Sequence, residues 1–151
     1  MDNLTFTKIW KAEEQYCELR VKGQSKYIKV YQDCYMTYKE LTETSKAIQE
    51  YCKTYNRELF FIFGELKGNY PPTFSMRILP AHKTGRLKIE LDMEIDDNNE
   101  RLHRCCFYIE TELGLLEQFA KNILRIEHEE EIEISLNPFQ IDFGVIRMVY
   151  Y

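Results

Sequence analysis

The 151-residue sequence contains few of the residues that interrupt regular structure, with only 6 glycines and 4 prolines. It also has no apolar run near the roughly 20 residues that a membrane-spanning helix needs. Hydrophobic residues make up 44% of the chain and charged residues 30%. This balance excludes disordered, collagen-like and low-complexity proteins. The length is that of one domain, so we expect a single domain over residues 1–151.

Signals for export and for metal binding are also lacking. The first five residues have neither the basic start nor the apolar stretch of a secretory signal, so we expect a cytoplasmic protein. The five cysteines are an odd number, and none of them has the C-x-x-C spacing that zinc sites favour. We therefore expect reduced, structural thiols, with no metal and no cofactor.

The net charge of −5 hides a strong asymmetry along the chain. Residues 1–89 carry 15 basic and 10 acidic side chains, a balance of +5, whereas residues 90–133 carry 4 and 14, a balance of −10. The basic residues are scattered rather than gathered in a stripe, which disfavours nucleic acid as a ligand. The acidic stretch favours a positively charged protein partner.

Alternating apolar and polar residues predict antiparallel strands over much of the chain. Residues 17–22 and 27–35 are typical of a hairpin, and 73–79 of a further strand. The alternation is clearest at 86–95, and its partner strand is predicted at 101–109. The run at 59–63 is apolar on both faces, which predicts a central strand covered on both sides.

Two helices are expected among these strands. Thr37 and Glu40 have the spacing of a capping box in front of a helix at residues 39–55. A second apolar stripe predicts a helix at 111–126. Together the elements predict an α+β fold, with an antiparallel sheet of about six or seven strands and two α-helices packed on one face. Residues 127–151 are an acidic connector followed by an apolar segment.

A row of carboxylates is the main candidate for a binding surface. Alternation places Glu90, Asp92 and Glu94 on one strand face, about 6.5–7 Å apart at each step. Asp96 and Asp97 follow in the predicted turn. The row does not match a calcium-binding loop, because the required glycine and terminal glutamate are absent. It fits either a solvated strand face or a recognition surface for a basic protein.

No residue pattern predicts a catalytic centre. His103 and Cys105 share a strand face, but side chains at i and i+2 stand too far apart to form a nucleophile and its base. The loop at 64–70 lacks the spacing of a phosphate-binding loop, and Tyr70 at its end is a candidate contact residue. The 11 tyrosines fit either a second packed face of the sheet or an interface.

Three segments carry a resemblance to a group of small bacterial proteins. They are Tyr31-Gln32-Asp33-Cys34-Tyr35, then Phe63-Gly64 through Gly68-Asn69-Tyr70, then Asp96-Asp97-Asn98 leading to His103-Arg104-Cys105-Cys106-Phe107-Tyr108. Over residues 5–126 the chain resembles immunity proteins that are encoded beside secreted polymorphic toxins. The resemblance implies a cytoplasmic binding protein that masks a toxin domain, often a basic nuclease. It transfers no functional residues.

Our leading hypothesis is a non-catalytic protein-binding module that neutralises a toxin through a partly acidic surface. One alternative is a small-molecule-binding protein or enzyme with an aromatic pocket, in which His103 and Tyr108 supply the polar groups. Another is a homo-oligomer completed by residues 139–151. For the leading hypothesis, the partner-binding residues are Glu90, Asp92, Glu94, Asp96, Asp97 and Tyr70.

Overall fold

Strands alternate with two helices along the chain. The computed structural model describes residues 2–11, 15–64, 73–94, 103–138, 140–142 and 147–149. Its elements are β1 (Asn3–Lys11), β2 (Tyr16–Gln24), β3 (Lys29–Thr37), α1 (Tyr38–Thr54), β4 (Leu59–Phe63), β5 (Phe74–Ile78), β6 (Arg86–Glu94), β7 (Arg104–Glu112), α2 (Leu113–Ile123), β8 (Glu133–Ser135), β9 (Gln140–Asp142) and β10 (Arg147–Val149). Neither helix is long and apolar enough to cross a lipid bilayer.

The longer strands form two four-stranded antiparallel sheets. The order is β3-β2-β1-β8 in the first sheet and β4-β5-β6-β7 in the second, and β9 and β10 pair separately. Each sheet is built from consecutive hairpins followed by a helix, and β8 returns after α2 to pair with β1. The α+β class, the antiparallel pairing and the two helices are confirmed. The strands are divided between two sheets instead of forming one.

The first helix begins where the capping box predicts. The Thr37 hydroxyl accepts a hydrogen bond from the Glu40 backbone N–H at 3.0 Å, and the Glu40 carboxylate accepts one from the Thr37 backbone N–H at 3.4 Å. The helix ends at Tyr55, whose φ of 42° is left-handed. On its inner side the Ser45 hydroxyl donates to the Ala120 carbonyl at 2.6 Å, which joins α1 to α2.

Both sheets and both helices share one hydrophobic core. Phe6 of β1 packs edge-on against Phe74 of β5, with 6.2 Å between ring centroids, and against Phe119 of α2 at 5.2 Å. Gly23 of β2 packs closely against side chains of the second sheet. A Cβ at this position would lie 2.8 Å from Met93 Sδ and 3.0 Å from both Leu91 Cδ1 and Phe107 Cζ.

The buried side chain of Gln32 connects the sheets by hydrogen bonds. Its amide nitrogen donates to the Thr73 carbonyl at 2.8 Å, and its amide oxygen accepts from the Glu94 backbone N–H at 2.9 Å. Both bonds run from β3 to the end of the second sheet where β5 begins and β6 ends. They satisfy backbone groups that burial would otherwise leave unpaired.

A buried lysine anchors the chain after α2 to the first sheet. Lys8 Nζ donates to the carbonyls of Ile126 and Glu129 at 2.6 and 3.1 Å. The same ammonium lies 5.3 Å from the centroid of the Tyr38 ring. Carbonyl oxygens and an aromatic face replace the water that burial removes from this cation.

Two predictions about exposure are wrong. β4 is an edge strand, and Phe60 and Ile62 are 52% and 40% exposed, although the apolar run predicted a strand covered on both sides. Glu94 is 7% exposed rather than on a solvated face, because the end of β6 lies against Gln32 of β3.

The acidic connector also contains β8, which the sequence pattern did not predict.

We predict opposite effects of the same substitution at two glycines. Gly23→Ala should lower the free energy of unfolding by about 1–3 kcal/mol, because the added methyl group overpacks the contact between the sheets. Gly114→Ala should raise the free energy of unfolding by about 0.5–1 kcal/mol, because the position is helical and, apart from its chain neighbours and its own helix backbone, nothing lies within 4 Å of a new Cβ. Urea unfolding measures both, and stabilisation by Gly23→Ala would contradict the close packing.

Candidate functional site

The solvent-facing side of the second sheet, here called the open face, is the candidate site. Strand alternation directs Leu87, Ile89 and Leu91 of β6 into the core, so the residues between them point outward. The same alternation in β4, β5 and β7 brings further side chains to this side. The open face consists of Phe60, Ile62, Ser75, Arg77, Arg86, Lys88, Glu90, Asp92, Arg104, Cys106, Tyr108, Glu110 and Glu112.

One row of contacts crosses all four strands of the open face. Phe60, Arg77, Glu90 and Tyr108 are successive partners in the register of the sheet. The Arg77 guanidinium carbon lies 4.9 Å from the centroid of the Phe60 ring, and Arg77 Nε lies 3.8 Å from Glu90 Oε1. The Tyr108 hydroxyl donates to Glu90 Oε2 at 2.8 Å. The row is therefore held by its own contacts.

A second group of contacts centres on Asp92. Arg104 binds this carboxylate with two hydrogen bonds, Nε to Oδ1 at 2.9 Å and Nη2 to Oδ2 at 2.6 Å. The arginine side chain is 63% exposed and the aspartate 24%. Cys106 is the register partner of Asp92 and is exposed beside this pair. The bidentate geometry orients both charged groups on the surface.

These contacts shift several pKa values on the open face. The hydrogen bond to Glu90 raises the pKa of Tyr108, because the phenol that donates this bond is stabilised over the phenolate. The hydrogen bond to Asp92 raises the pKa of Arg104. Burial and then the charges of Glu90 and Asp92 raise the pKa of the Cys106 thiol. This thiol is thus not activated as a nucleophile, which would require a lowered pKa.

The structure brings together two of the six predicted partner-binding residues. Glu90 and Asp92 lie on the open face, and each interacts with an arginine from a neighbouring strand. Glu94 is buried at the junction of the sheets. The others lie outside the described residues: Asp96, Asp97 and Tyr70.

Arg77 and Arg104 are the residues of this surface that the sequence reasoning missed. Their outward direction follows from alternation, since Met76, Ile78, Cys105 and Phe107 point inward. Their pairing with carboxylates depends on which strands are neighbours and in which register. As a result, the open face is nearly balanced in charge, although β6 alone is acidic.

His103 and Tyr108, the residues named for the small-molecule alternative, are both exposed. Neither lines the cleft of about 1000 Å³ found among the described residues. Arg86 and Lys88 line that cleft together with Glu110 and Glu112. Because the cleft is lined by charges of both signs, its charge does not indicate whether it would bind an anion or a cation.

Groups suited to metal binding or thiol chemistry are not assembled in the part of the chain that the structure describes. Within those ranges, no three His, Cys, Asp or Glu side chains gather as a metal site requires. Cys17 and Cys34 are buried in the core. Burial raises the pKa of Cys17 to about 11 and also raises the pKa of Cys34. Both thiols are inert packing groups.

Comparison of the chain with protein-family models, curated proteins and solved structures gave no match. The resemblance to immunity proteins therefore stays a prediction. Any functional conclusion rests on the chemistry of the open face itself.

We predict that the reactivity of Cys106 reports the electrostatics of the open face. In a Cys105→Ser background, Asp92→Asn should increase the rate of Cys106 modification by a disulfide reagent at pH 8 by at least about twofold. The substitution removes a negative charge that raises the thiol pKa and releases Arg104, which lowers it. A lower pKa means more thiolate, which is the reacting form.

Glu112→Gln is the matched control, because it removes one carboxylate from the same strand without being a neighbour of the thiol. It should leave the rate unchanged. Mass spectrometry of the labelled protein identifies the modified cysteine, and Cys17 and Cys34 should remain unlabelled until the protein unfolds. Equal rates in the wild type and the Asp92→Asn variant would contradict the predicted coupling.

Proposed function

We propose that this chain is a non-catalytic protein-binding module of the immunity type, which neutralises a basic toxin domain in the cytoplasm by covering it with the open face. The observation that carries the proposal is the exposed row formed by Phe60, Arg77, Glu90 and Tyr108. Its members come from four strands and contact one another, so a partner meets a surface rather than a single loop.

The composition of the row supports a protein partner. Tyrosine and arginine are the side chains most often found at the energetic centre of protein interfaces. Tyr108 is 52% exposed and offers a flat apolar ring with a polar tip. Phe60, equally exposed, adds apolar area at the other end of the row. Isolated apolar residues are common on protein surfaces, but here they share a face with two arginines.

The rigidity of the row is a second supporting argument. Binding orders mobile side chains at a cost of about 0.5–1.5 kcal/mol each. Arg77 is already positioned by Phe60, Glu58 and Glu90, and Arg104 by Asp92. A partner that accepts this arrangement avoids much of the ordering cost.

Charge enters the proposal through the longer acidic segment. The balance of −10 over residues 90–133 produces a field that favours the approach of a basic partner. At the open face itself, Glu90 and Asp92 already interact with arginines, so a basic side chain of the partner would share these carboxylates. We therefore expect charge to affect the association rate more than the final affinity.

The proposal predicts that binding depends on Tyr108. Tyr108→Ala should weaken binding of the partner by about 30-fold or more, the loss typical of a residue at the centre of an interface. Stability should change little because the side chain is half-exposed. The matched control is Tyr27→Ala, which removes a tyrosine that is 85% exposed beside the first sheet. It should bind the partner like the wild type.

The partner is first captured from lysate of the source cells with the tagged wild-type protein and identified by mass spectrometry. Isothermal titration calorimetry with the purified partner then compares the dissociation constants of the two variants with that of the wild type. A partner of acidic composition, or equal binding by Tyr108→Ala and wild type, would overturn the assignment of the open face. Thermal unfolding of each variant separates lost binding from lost folding.

A further inference from the structure

The edge of β4 presents strand backbone next to exposed apolar side chains. Among the strands that the structure describes, β4 pairs with β5 alone and is the terminal strand of its sheet. All five of its residues, Leu59–Phe63, are apolar. Phe60 and Ile62 are among the exposed large hydrophobic residues of the protein.

The register shows which backbone groups face the open edge. The Leu79 N–H donates to the Lys88 carbonyl at 3.1 Å, so the odd-numbered residues of β5 bond to β6 and the even-numbered residues bond to β4. The register then gives Leu59, Phe61 and Phe63 the ladder bonds to β5. The N–H and C=O groups of Phe60 and Ile62 therefore point away from the sheet.

The other edge of the same sheet is protected. The Glu110 N–H donates to Asp2 Oδ2 at 2.8 Å, and the Glu110 carbonyl accepts from Asn137 Nδ2 at 3.0 Å. Side chains thus occupy the outward backbone groups of β7 at this position. The edge of β4 has no bulge, proline or charged side chain within the strand, which are the usual protections against pairing.

We propose that β4 of one molecule pairs antiparallel with β4 of a second copy, which joins the two second sheets into a continuous eight-stranded sheet. The register that pairs all five residues places Phe61 opposite its own copy. Phe60 then faces Ile62 of the second copy, and both pairs exchange backbone hydrogen bonds through the outward groups. A two-fold axis through the Phe61 pair relates the copies, as a closed dimer requires.

Charge favours a second copy over a charged partner at this edge. The strand is uncharged, so no like charges meet across the axis. Next to the strand, the side chains of Glu58 and Arg77 form an ion pair at 3.4 Å, and Arg77 also interacts with Glu90. Pairing the edges therefore buries no isolated charge, and it covers the exposed area of Phe60, Phe61 and Ile62 with apolar groups of the same kind.

The size of the contact predicts a weak dimer. A stable interface buries about 800 Å² on each partner, contributed by roughly 20–30 residues. A pair of five-residue strands provides less than this. We therefore expect a dimer that forms at high protein concentration and dissociates on dilution.

Sedimentation velocity of the full-length protein alone tests the inference without the partner proposed above. The mass should rise with concentration from 18.2 kDa towards twice that value. Ile62→Lys should weaken dimerisation by about tenfold or more, because a charge on an edge strand opposes pairing. Leu124→Lys is the matched control, since Leu124 is 39% exposed and Ile62 40%. It should dimerise like the wild type.

Hydrogen exchange gives a second readout that a loss of folding would not imitate. At high concentration the amides of Phe60 and Ile62 should become protected in the wild type and in Leu124→Lys, but not in Ile62→Lys. A monomer at every concentration would overturn the inference. A dimer that Ile62→Lys leaves intact would also overturn it, and would place the contact elsewhere, with residues 139–151 the next segment to test.

Discussion

The contact between the two sheets depends on the side-chain amide of Gln32. Its two hydrogen bonds reach backbone groups at Thr73 and Glu94, so β3 is held against the start of β5 and the end of β6. Gly23 permits this approach because a Cβ there would meet three core side chains. The shared core around Phe6 requires this close approach of the two sheets, since the Phe6 ring contacts both Phe74 of β5 and Phe119 of α2.

The open face follows from that arrangement. The inward side chains of β5, β6 and β7 are buried in the shared core, so the outward side chains of these strands remain available to solvent. Cross-strand contacts then organise them, with Glu90 beside Arg77 of β5 and Asp92 beside Arg104 of β7. Phe60 belongs both to this face and to the open edge, because in β4 the residues whose backbone faces the edge also point to solvent.

Much of the fold could be predicted from local patterns. The capping box at Thr37 located the start of α1, and alternation located β6. Its partner strand was predicted at 101–109 and lies three residues later, at Arg104–Glu112. The apolar run of β4 was misjudged because periodicity cannot distinguish a central strand from an edge strand with an apolar outer face. β8 was missed because the alternation of Ile132 and Ile134 with glutamates is short and lies within an acidic stretch. The division into two sheets depends on tertiary contacts such as those of Gln32.

Only the part of the candidate site that lies on β6 could be predicted from the sequence. Alternation correctly directed Glu90 and Asp92 to the same face, but a charge balance taken along the chain ignores charges that register brings from other strands. Arg77 and Arg104 lie 13 and 12 positions away from the carboxylates that they contact, and they convert an acidic strand into a surface of paired charges. Paired, exposed charges contribute little to affinity by themselves. The binding proposed for this face must therefore draw on the aromatic rings and guanidinium groups that the pairing holds in place.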